Sequence, residues 1–247
     1  MSQRLKLIVA YDGAAFAGWQ SQTHQNTVQD QLERAFHKIS GHRIRLHGAG
    51  RTDAGVHALA QCAHVDLPER RLPAVNWTNA LNAILSPAIR VLRSQYVSHN
   101  FHARYSAKGK LYRYRIWSGP ILPPFEVRRA WHIGSPLDHD LLRAAGNKFV
   151  GMHNFAAFAA NRGKKEENTT RTIWSVETRQ NGPRITIEIA GNGFLYKMVR
   201  LMVGAIARVA LGKMKPDEIT ARLDSGQADG FRFVAPADGL YLVKIWY

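Results

Sequence analysis

The chain has 247 residues, and 45% of them are hydrophobic, an ordinary composition for a folded protein of one large or two medium domains. Its 34 Lys and Arg residues outnumber 18 Asp and Glu residues, which gives a net charge of +16 and a pI near 10.4. The charge is spread through folded-looking sequence and not confined to a tail, so we predict a shaped groove that binds a polyanion such as nucleic acid. The single cysteine, Cys62, excludes an intramolecular disulfide and a multi-cysteine zinc site, and it fits a reducing cytosol.

Two apolar stretches are too short or too interrupted for a targeting or membrane segment. The run at residues 7–11 meets Asp12 after five residues, short of the roughly 7–15 of a signal-peptide core. The stretch at 194–211 is broken by Lys197, Arg200 and Arg208, and it falls short of the ~20 apolar residues of a membrane helix. We therefore expect a soluble, cytoplasmic protein without a membrane partner.

Hydrophobic periodicity predicts a mixed α+β arrangement in the first hundred or so residues. The predicted strands are 5–11, 44–47, 59–67 and 89–97, and the predicted helices are 27–39 and 73–85. The first helix carries its apolar residues on one face. Thr27 is its predicted N-cap, Asp30 follows three residues later, and Gly41 follows the end of the helix.

The second half repeats this pattern loosely. The predicted strands are 111–117, 173–178, 184–190 and 239–247, and the predicted helices are 137–149, 194–211 and 216–223. A polar, charged stretch at 161–171 is predicted to be a mobile surface loop. We place the domain boundary near 104–110, which gives domains 1–105 and 106–247. Because no low-complexity linker lies there, we expect the halves to share a continuous sheet or a tight interface.

The segment 50–58, Gly-Arg-Thr-Asp-Ala-Gly-Val-His-Ala, is the most informative of the chain. It is too rich in glycine for a regular helix, and glycine permits close approaches that other residues resist. Such a loop can hold the Asp53 carboxylate against a ligand while Arg51 grips a phosphate. The alternative is an ordinary loop aspartate that caps a turn. A basic face on the predicted 194–211 helix, formed by Lys197, Arg200, Gly204 and Arg208, likewise has two interpretations, a ligand contact or a solvated surface.

The chain resembles the TruA family of bacterial tRNA pseudouridine synthases nearly from end to end. The resemblance is carried by the order and spacing of short motifs: Tyr-Asp-Gly at 11–13, Phe-Ala-Gly-Trp-Gln at 16–20, Thr-Val-Gln at 27–29 with Leu-Glu at 32–33, the loop at 50–58, Phe-His-Ala-Arg at 101–104, Tyr-Arg-Tyr at 112–114, the segment 194–204, and Gly-Leu-Tyr-Leu at 239–242. It implies that uridines 38 to 40 of the tRNA anticodon stem-loop are converted to pseudouridine, without a cofactor. The absence of a nucleotide-binding fingerprint agrees with that expectation.

The resemblance also implies the catalytic residues. Asp53 matches the catalytic aspartate, which either attacks the ribose or the uracil or assists departure of the base. Arg200 matches the arginine that pairs with this aspartate and holds it charged. Tyr112 matches the active-site tyrosine, whose ring can stack on the extruded uracil and whose hydroxyl can relay the C5 proton. Tyr114, on the same strand face, is expected to have a structural role.

Substrate binding is assigned to four residues, Arg51, Tyr112, Arg104 and Lys197. Arg51 holds a phosphate or fills the gap left when the target base flips out of its stack. The histidines His47, His57 and His64 near the loop suggest a metal site with Asp53, but their spacing fits no zinc pattern, so we expect no metal. His57 is expected to support the loop.

The resemblance implies two α+β domains with ferredoxin-like or RNA-recognition-like cores. Their sheets are expected to join into one extended, mainly antiparallel sheet with a basic central cleft, and the protein is expected to act as a homodimer on tRNA. Two alternatives belong to other classes: a metal-dependent nuclease that uses Asp53, and a non-catalytic RNA-binding protein of the same fold.

Overall fold

The computed structural model describes residues 3–23, 26–68, 72–160, 167–227 and 233–247. Helices pack on sheets whose strand pairs are mostly antiparallel, which confirms the α+β class. The chain divides into two compact units, one formed by residues up to 108 together with 241–247, the other by 109–240. The last residues thus belong to the first unit, whereas the sequence-based division kept them with the second half.

The first unit is built on a sheet in the order β4-β1-β3, with β2 and β10 both pairing with β3. Its strands are β1 (Gln3–Tyr11), β2 (His47–Gly48), β3 (His57–Leu67), β4 (Ile89–Val97) and β10 (Leu240–Trp246), and its helices are α1 (Val28–Ser40) and α2 (Ala74–Ile84). The pairing of β10 with β3 is parallel and the others are antiparallel. Phe36 of α1 packs on Trp77 of α2 with 5.3 Å between ring centroids, so the two helices share one apolar layer.

The first helix forms where the sequence predicts it, and for the predicted reasons. The Thr27 side chain accepts a hydrogen bond from the Asp30 backbone N–H, which caps the start of the helix. Gly41 ends it in the left-handed region at φ +74°. The buried residues Val28, Leu32 and Phe36 fall on one face at helical spacing. Because both ends of α1 are defined, the residues on its first turns have well-defined positions.

The second unit contains a sheet in the order β5-β9-β8-β7, with β6 pairing with β5. Its strands are β5 (Gly109–Trp117), β6 (Trp131–His132), β7 (Gly151–Asn154), β8 (Thr170–Asn181) and β9 (Arg184–Gly191), and its helices are α3 (His139–Asn147), α4 (Met198–Ala210) and α5 (Pro216–Ser225). The helix α3 packs against β8 and α4. Of the predicted loop at 161–171, residues 161–166 lie outside the described residues, and Thr170 and Arg171 begin β8.

Two of the predicted elements whose extent differs show how tertiary structure overrides a local pattern. The strand predicted at 44–47 forms only at His47–Gly48; Ile44 and Leu46 are buried without strand pairing, so their alternation reflects burial and not a ladder. The helix predicted at 194–211 begins at Met198, four residues late. Its preceding residue, Lys197, has φ +57°, a left-handed conformation that no helical hydrophobic pattern reveals.

Candidate active site

The Asp53 loop connects β2 to β3 in the first unit and contains a tight turn. The Val56 N–H donates to the Asp53 carbonyl oxygen at 3.1 Å, and Gly55 has φ +82°. A turn closed in this way, with a residue of positive φ just before its end, needs glycine at that position. The Asp53 side chain is half-buried, so a carboxylate sits on a fixed backbone at the edge of solvent.

Three hydrogen bonds from separate parts of the first unit fix the loop on the N-terminal side of Asp53. The Tyr11 hydroxyl lies 2.8 Å from Thr52 Oγ1, the Trp19 N–H donates to the Thr52 carbonyl at 3.1 Å, and Gln61 Nε2 donates to the Gly50 carbonyl at 2.9 Å. Thr52 is only 7% exposed, so these bonds lie in a poorly solvated environment where losing one is costly. The position of Asp53 is therefore set by β1, by β3 and by the segment that leads into α1.

Two glycines allow other backbone segments to pack directly on this loop. A Cβ on Gly13 would lie 2.1 Å from the Val56 carbonyl oxygen, and a Cβ on Gly18 would lie 2.7 Å from that of Thr52. Gly18 also has φ +96°, which side chains rarely adopt. Gly13 and Gly18 belong to two motifs that are distant in sequence from the Asp53 loop. Both glycines allow their segments to pack closely against that loop.

His57 supports the loop at its C-terminal end, as the sequence suggests. It is 3% exposed and stacks on Tyr241 with centroids 4.5 Å apart. Its Nδ1 lies 3.0 Å from the Gly13 N–H and 3.1 Å from Asp12 Oδ1. A bare Nδ1 accepts from Gly13, and a protonated Nδ1 donates to Asp12, so either form ties β3 to the end of β1. Among the residues the structure describes, no three His, Cys, Asp or Glu side chains are grouped to hold a metal ion.

Arg51 is exposed beside the loop and is held at one atom. Its Nε donates to Gln20 Oε1 at 3.1 Å. Holding Nε fixes the plane of the guanidinium, so its two terminal nitrogens present their donors in one orientation. That geometry suits an anion with paired oxygens, such as a phosphate.

His47 of β2 and His64 of β3 form a separate cluster with His102. His47 and His64 are opposite each other across the two strands and stack with centroids 5.0 Å apart, and His102 meets His64 edge-on at 4.7 Å. His64 Nδ1 accepts the Ala103 N–H at 3.2 Å. Burial, and then the positive charge of Arg4, lower the pKa of His64 to about 4, so its ring is neutral at pH 7. Through the hydrogen bond from Ala103 to His64, this cluster holds in place the segment that carries Arg104.

Arg104 lies in a tight turn of the first unit. His102 Nδ1 accepts the backbone N–H groups of Arg104 and Tyr105 at 3.1 and 3.3 Å, and the Ser106 N–H donates to the His102 carbonyl at 2.9 Å. The Arg104 side chain is exposed, and its guanidinium lies 5.7 Å from the centroid of the exposed Tyr105 ring. The turn presents a cation and an aromatic ring side by side, a combination suited to RNA.

Tyr112 and Tyr114 of β5 differ in their surroundings. Tyr114 is fully buried, its hydroxyl donates to the Pro236 carbonyl at 2.7 Å, and burial raises the pKa of its phenol well above the usual value. These surroundings are those expected for the structural role that the sequence predicts. Tyr112 is 9% exposed and meets Phe194 edge-on with centroids 5.1 Å apart. An aromatic pair of this kind orients the Tyr112 ring.

Arg200 and Lys197 belong to the start of α4 in the second unit. Arg200 is half-buried, its Nε donates to the Ala235 carbonyl at 2.7 Å, and its own carbonyl accepts the Ala235 N–H at 3.1 Å. Further along this face, a Cβ on Gly204 would lie 2.0 Å from the Phe233 carbonyl oxygen. The basic face of α4 is therefore partly covered by the segment 233–235 and is not a fully solvated surface.

The structure thus places Asp53, Arg51 and Arg104 in the first unit, and Tyr112, Lys197 and Arg200 in the second. Sequence reasoning missed three residues that reach Arg51 through hydrogen bonds, namely Gln20, Gln29 and Glu33. All three lie inside the motifs that carry the family resemblance. Nothing in the sequence shows that they contact one another, because the fold brings their segments together.

The comparisons with known proteins show the family to which the chain belongs. The sequence profile of a family described as tRNA pseudouridine synthase matches residues 7–106 and 145–247, so the chain belongs to the tRNA pseudouridine synthase family, whose members are isomerases. Within that family it is similar to proteins named tRNA pseudouridine synthase A. It is 46% identical over 251 residues to that of Akkermansia muciniphila, covering 99% of this chain and 95% of the relative. It is 40% identical over 245 residues to that of Acetivibrio thermocellus, covering 99% of this chain and 100% of the relative.

Among solved structures, the chain is similar to one in a Cbf5-Nop10-Gar1 complex, with a TM-score of 0.38 and 14% identity, covering 96% of this chain and 48% of the other. A similarity this low carries no argument about the site. In the described part of the chain, no helix has both the length and the apolar character needed to cross a lipid bilayer.

Proposed function

We propose that this tRNA pseudouridine synthase acts on uridines 38 to 40 of the tRNA anticodon stem-loop, with Asp53 as its catalytic carboxylate. The observation that carries the proposal is the Asp53 loop, whose backbone accepts hydrogen bonds from Trp19 and Gln61 and whose Thr52 side chain bonds the Tyr11 hydroxyl. A carboxylate held on such a backbone needs little reorganisation when the substrate arrives. The family resemblance supports the same residue independently.

The reaction is an isomerisation, so atoms balance within the nucleotide. The N1–C1′ bond breaks, the uracil turns, and C5 forms a bond to C1′. The proton on C5 then leaves, and N1 gains one. In this scheme Asp53 attacks the ribose or the uracil, or assists departure of the base, and each route needs an ionised carboxylate close to C1′.

Arg200 and Tyr112 are proposed to complete the catalytic group. Arg200 would pair with Asp53 and favour its charged form. Its own bonds to Ala235 hold the first turn of α4 in place, which supports a positioned guanidinium. Tyr112 would stack on the extruded uracil, and its hydroxyl would relay the C5 proton. The edge-on contact with Phe194 supports a fixed ring orientation.

Arg51, Arg104 and Lys197 are proposed to bind the RNA, together with Tyr112. A base inside a stem must leave its stack before Asp53 reaches C1′, at a cost of a few kcal/mol. Phosphate contacts made by a chain with a net charge of +16 would offset that cost. Arg51 would hold a phosphate or fill the gap that the flipped base leaves.

The finer architecture is proposed on the same basis. In the first unit, the element order β1-α1-β2-β3-α2-β4 and the sheet order β4-β1-β3-β2 support a ferredoxin-like core. We propose a second such core in the C-terminal half, domains at 1–105 and 106–247, sheets joined into one, a basic central cleft, and a cytoplasmic homodimer that contacts one tRNA.

Asp53→Asn tests the assignment because it removes the charge at nearly unchanged shape. We expect turnover to be abolished while tRNA affinity survives, since phosphate contacts supply most of the binding energy. Turnover is measured on purified tRNA, and the modified position is mapped in the product. Turnover within tenfold of the unmodified enzyme would remove Asp53 from the nucleophile role, and a product modified elsewhere would overturn the assignment to positions 38 to 40.

The same experiment separates the alternatives. A non-catalytic RNA-binding protein predicts no pseudouridine from either protein and unchanged binding by Asp53→Asn. A metal-dependent nuclease predicts RNA cleavage that EDTA abolishes. Intact RNA that contains pseudouridine, formed in EDTA, would dismiss both.

A further inference from the structure

A chain of side-chain hydrogen bonds leads from Arg51 into the first helix. Arg51 Nε donates to Gln20 Oε1 at 3.1 Å, Gln20 Nε2 donates to Gln29 Oε1 at 2.7 Å, and Gln29 Nε2 donates to Glu33 Oε1 at 2.8 Å. Arg51 is exposed whereas Gln29 is 5% exposed, so this series of hydrogen bonds runs from the surface into the interior of the first unit. We call Gln20, Gln29 and Glu33 the relay.

The two ends of the relay fix the direction of its hydrogen bonds. A guanidinium only donates and a carboxylate only accepts, so both amides must accept on the Arg51 side and donate on the Glu33 side. Backbone groups reinforce this order: the Ser21 N–H donates to Gln29 Oε1 at 3.1 Å, and the Leu46 N–H donates to Glu33 Oε1 at 2.8 Å. Reversing the buried Gln29 amide would place two acceptors together at one end and two donors at the other, which is costly away from water.

We propose that Gln20 and Gln29 are positioning residues that aim the Arg51 guanidinium at the RNA. The inference rests on the proposed function. An exposed arginine has many rotamers, and ordering one on binding costs on the order of 1 kcal/mol. The relay orders it beforehand, two residues from Asp53 in the same loop. Gln20 touches neither Asp53 nor substrate in this account and acts only through Arg51.

Gln20→Met tests the first link, because it keeps the length of the side chain and removes both the acceptor and the donor. We expect Gln20→Met to impair activity by about fivefold. The effect should fall on the same kinetic constant, KM or kcat, that Arg51→Ala impairs. In the Arg51→Ala background it should have no further effect, since its route to the RNA has been removed. The matched control is Gln22→Met, an exposed glutamine whose Nε2 bonds the Ala17 carbonyl at 3.0 Å.

The second link is tested by exchanging the ends of one hydrogen bond. Gln29→Glu alone places two carboxylates at a donor–acceptor contact, so we expect a loss at least as large as that of Gln20→Met. Glu33→Gln alone keeps an acceptor for Gln29 and for Leu46, so its effect should stay within twofold. The double variant Gln29→Glu/Glu33→Gln restores a donor facing an acceptor at this contact. Because Glu33 Oε1 also accepts the Leu46 N–H, the new amide nitrogen leaves that N–H without its acceptor, and we expect the variant to recover only part of the loss.

The outcomes separate the relay from the function on which it rests. If the unmodified enzyme forms no pseudouridine, the proposed function fails, and the relay is then tested through tRNA affinity with the same variants. If it does form pseudouridine, the relay is overturned by a Gln20→Met variant that behaves like Gln22→Met. The relay is also overturned if Gln20→Met lowers activity by the same factor in the presence and in the absence of Arg51. It is likewise overturned if the double variant is no more active than Gln29→Glu. Either result would mean that these glutamines have a structural role.

Discussion

Gly18 should control the position of Asp53 although it lies 35 residues earlier in the sequence. In Gly18→Ala the new Cβ would stand 2.7 Å from the Thr52 carbonyl oxygen and 3.1 Å from the Asp53 carbonyl carbon. An ordinary contact begins at 3.4 Å, so the loop or the Gly18 segment must move by a distance of several tenths of an ångström. Because the φ of +96° adds backbone strain, we expect a loss of about 2–4 kcal/mol in the free energy of unfolding.

Gly18→Ala should slow catalysis in the folded protein as well as lower its stability. A displacement approaching 1 Å at a reacting group costs on the order of 100-fold in rate. We therefore expect single-turnover pseudouridine formation to fall by about that factor in the folded fraction, with tRNA affinity nearly kept. Urea unfolding gives the stability, and release of tritium from uracil C5 gives the rate.

The matched control is Gly41→Ala, which has a comparable backbone conformation without the contact. Gly41 has φ +74°, and its Cβ would meet nothing within 4 Å. We expect a loss of about 1 kcal/mol in stability and an unchanged rate. Equal rates for the two variants would refute the reasoning, since they would show that the Gly18 contact does not position Asp53.

Three further predictions follow from the described contacts. First, stability should rise with pH between about 4 and 6.5, because the lowered pKa of His64 lets only the unfolded chain take up a proton there, an effect on the order of 2 kcal/mol. His64→Asn, which keeps an acceptor for the Ala103 N–H, should flatten the profile in acid unfolding measurements. An unchanged slope would contradict this. Second, Lys197→Gly should relieve left-handed strain and gain up to about 1 kcal/mol in thermal unfolding, yet lower the slope of log tRNA affinity against log salt by about 0.7–0.9, whereas Lys197→Arg keeps that slope; equal slopes would remove Lys197 from the RNA contacts. Third, Tyr114→Phe should lower stability by about 1–2 kcal/mol through the lost hydrogen bond to Pro236 and leave the reaction rate unchanged. Tyr112→Phe should slow the reaction and leave stability nearly unchanged. A slow reaction in Tyr114→Phe would reverse the roles assigned to the two tyrosines.

Much of the fold follows from the sequence because local rules and burial agree. The strand at 89–97 forms with the predicted bounds, and α1 has the predicted cap and end. The errors arise where tertiary contacts decide. Lys197 takes a left-handed conformation inside an apolar pattern that suits a helix, and Ile44 and Leu46 are buried without joining the sheet. The strands β6 and β7, of two and four residues, are too short to give a periodic signal.

The candidate site shows the same limit. The loop at 50–58 reveals Asp53 because its chemistry is contiguous in sequence. The packing of Gly13 and Gly18 on that loop, and the relay from Arg51 to Glu33, join segments up to about 40 residues apart and emerge only from the fold. Sequence patterns therefore indicate the proposed reacting residue more readily than the residues that hold its loop in place.

The most direct test of the central claim uses tRNA transcribed with tritium at uracil C5, mixed with the unmodified enzyme or with Asp53→Ala in the presence of EDTA. Formation of the C5–C1′ bond expels the label into water. We expect release by the unmodified enzyme only, from positions 38 to 40, with tRNA binding by both proteins. Release by Asp53→Ala at a comparable rate would contradict the assignment of Asp53, and release by neither protein with binding intact would contradict catalysis itself.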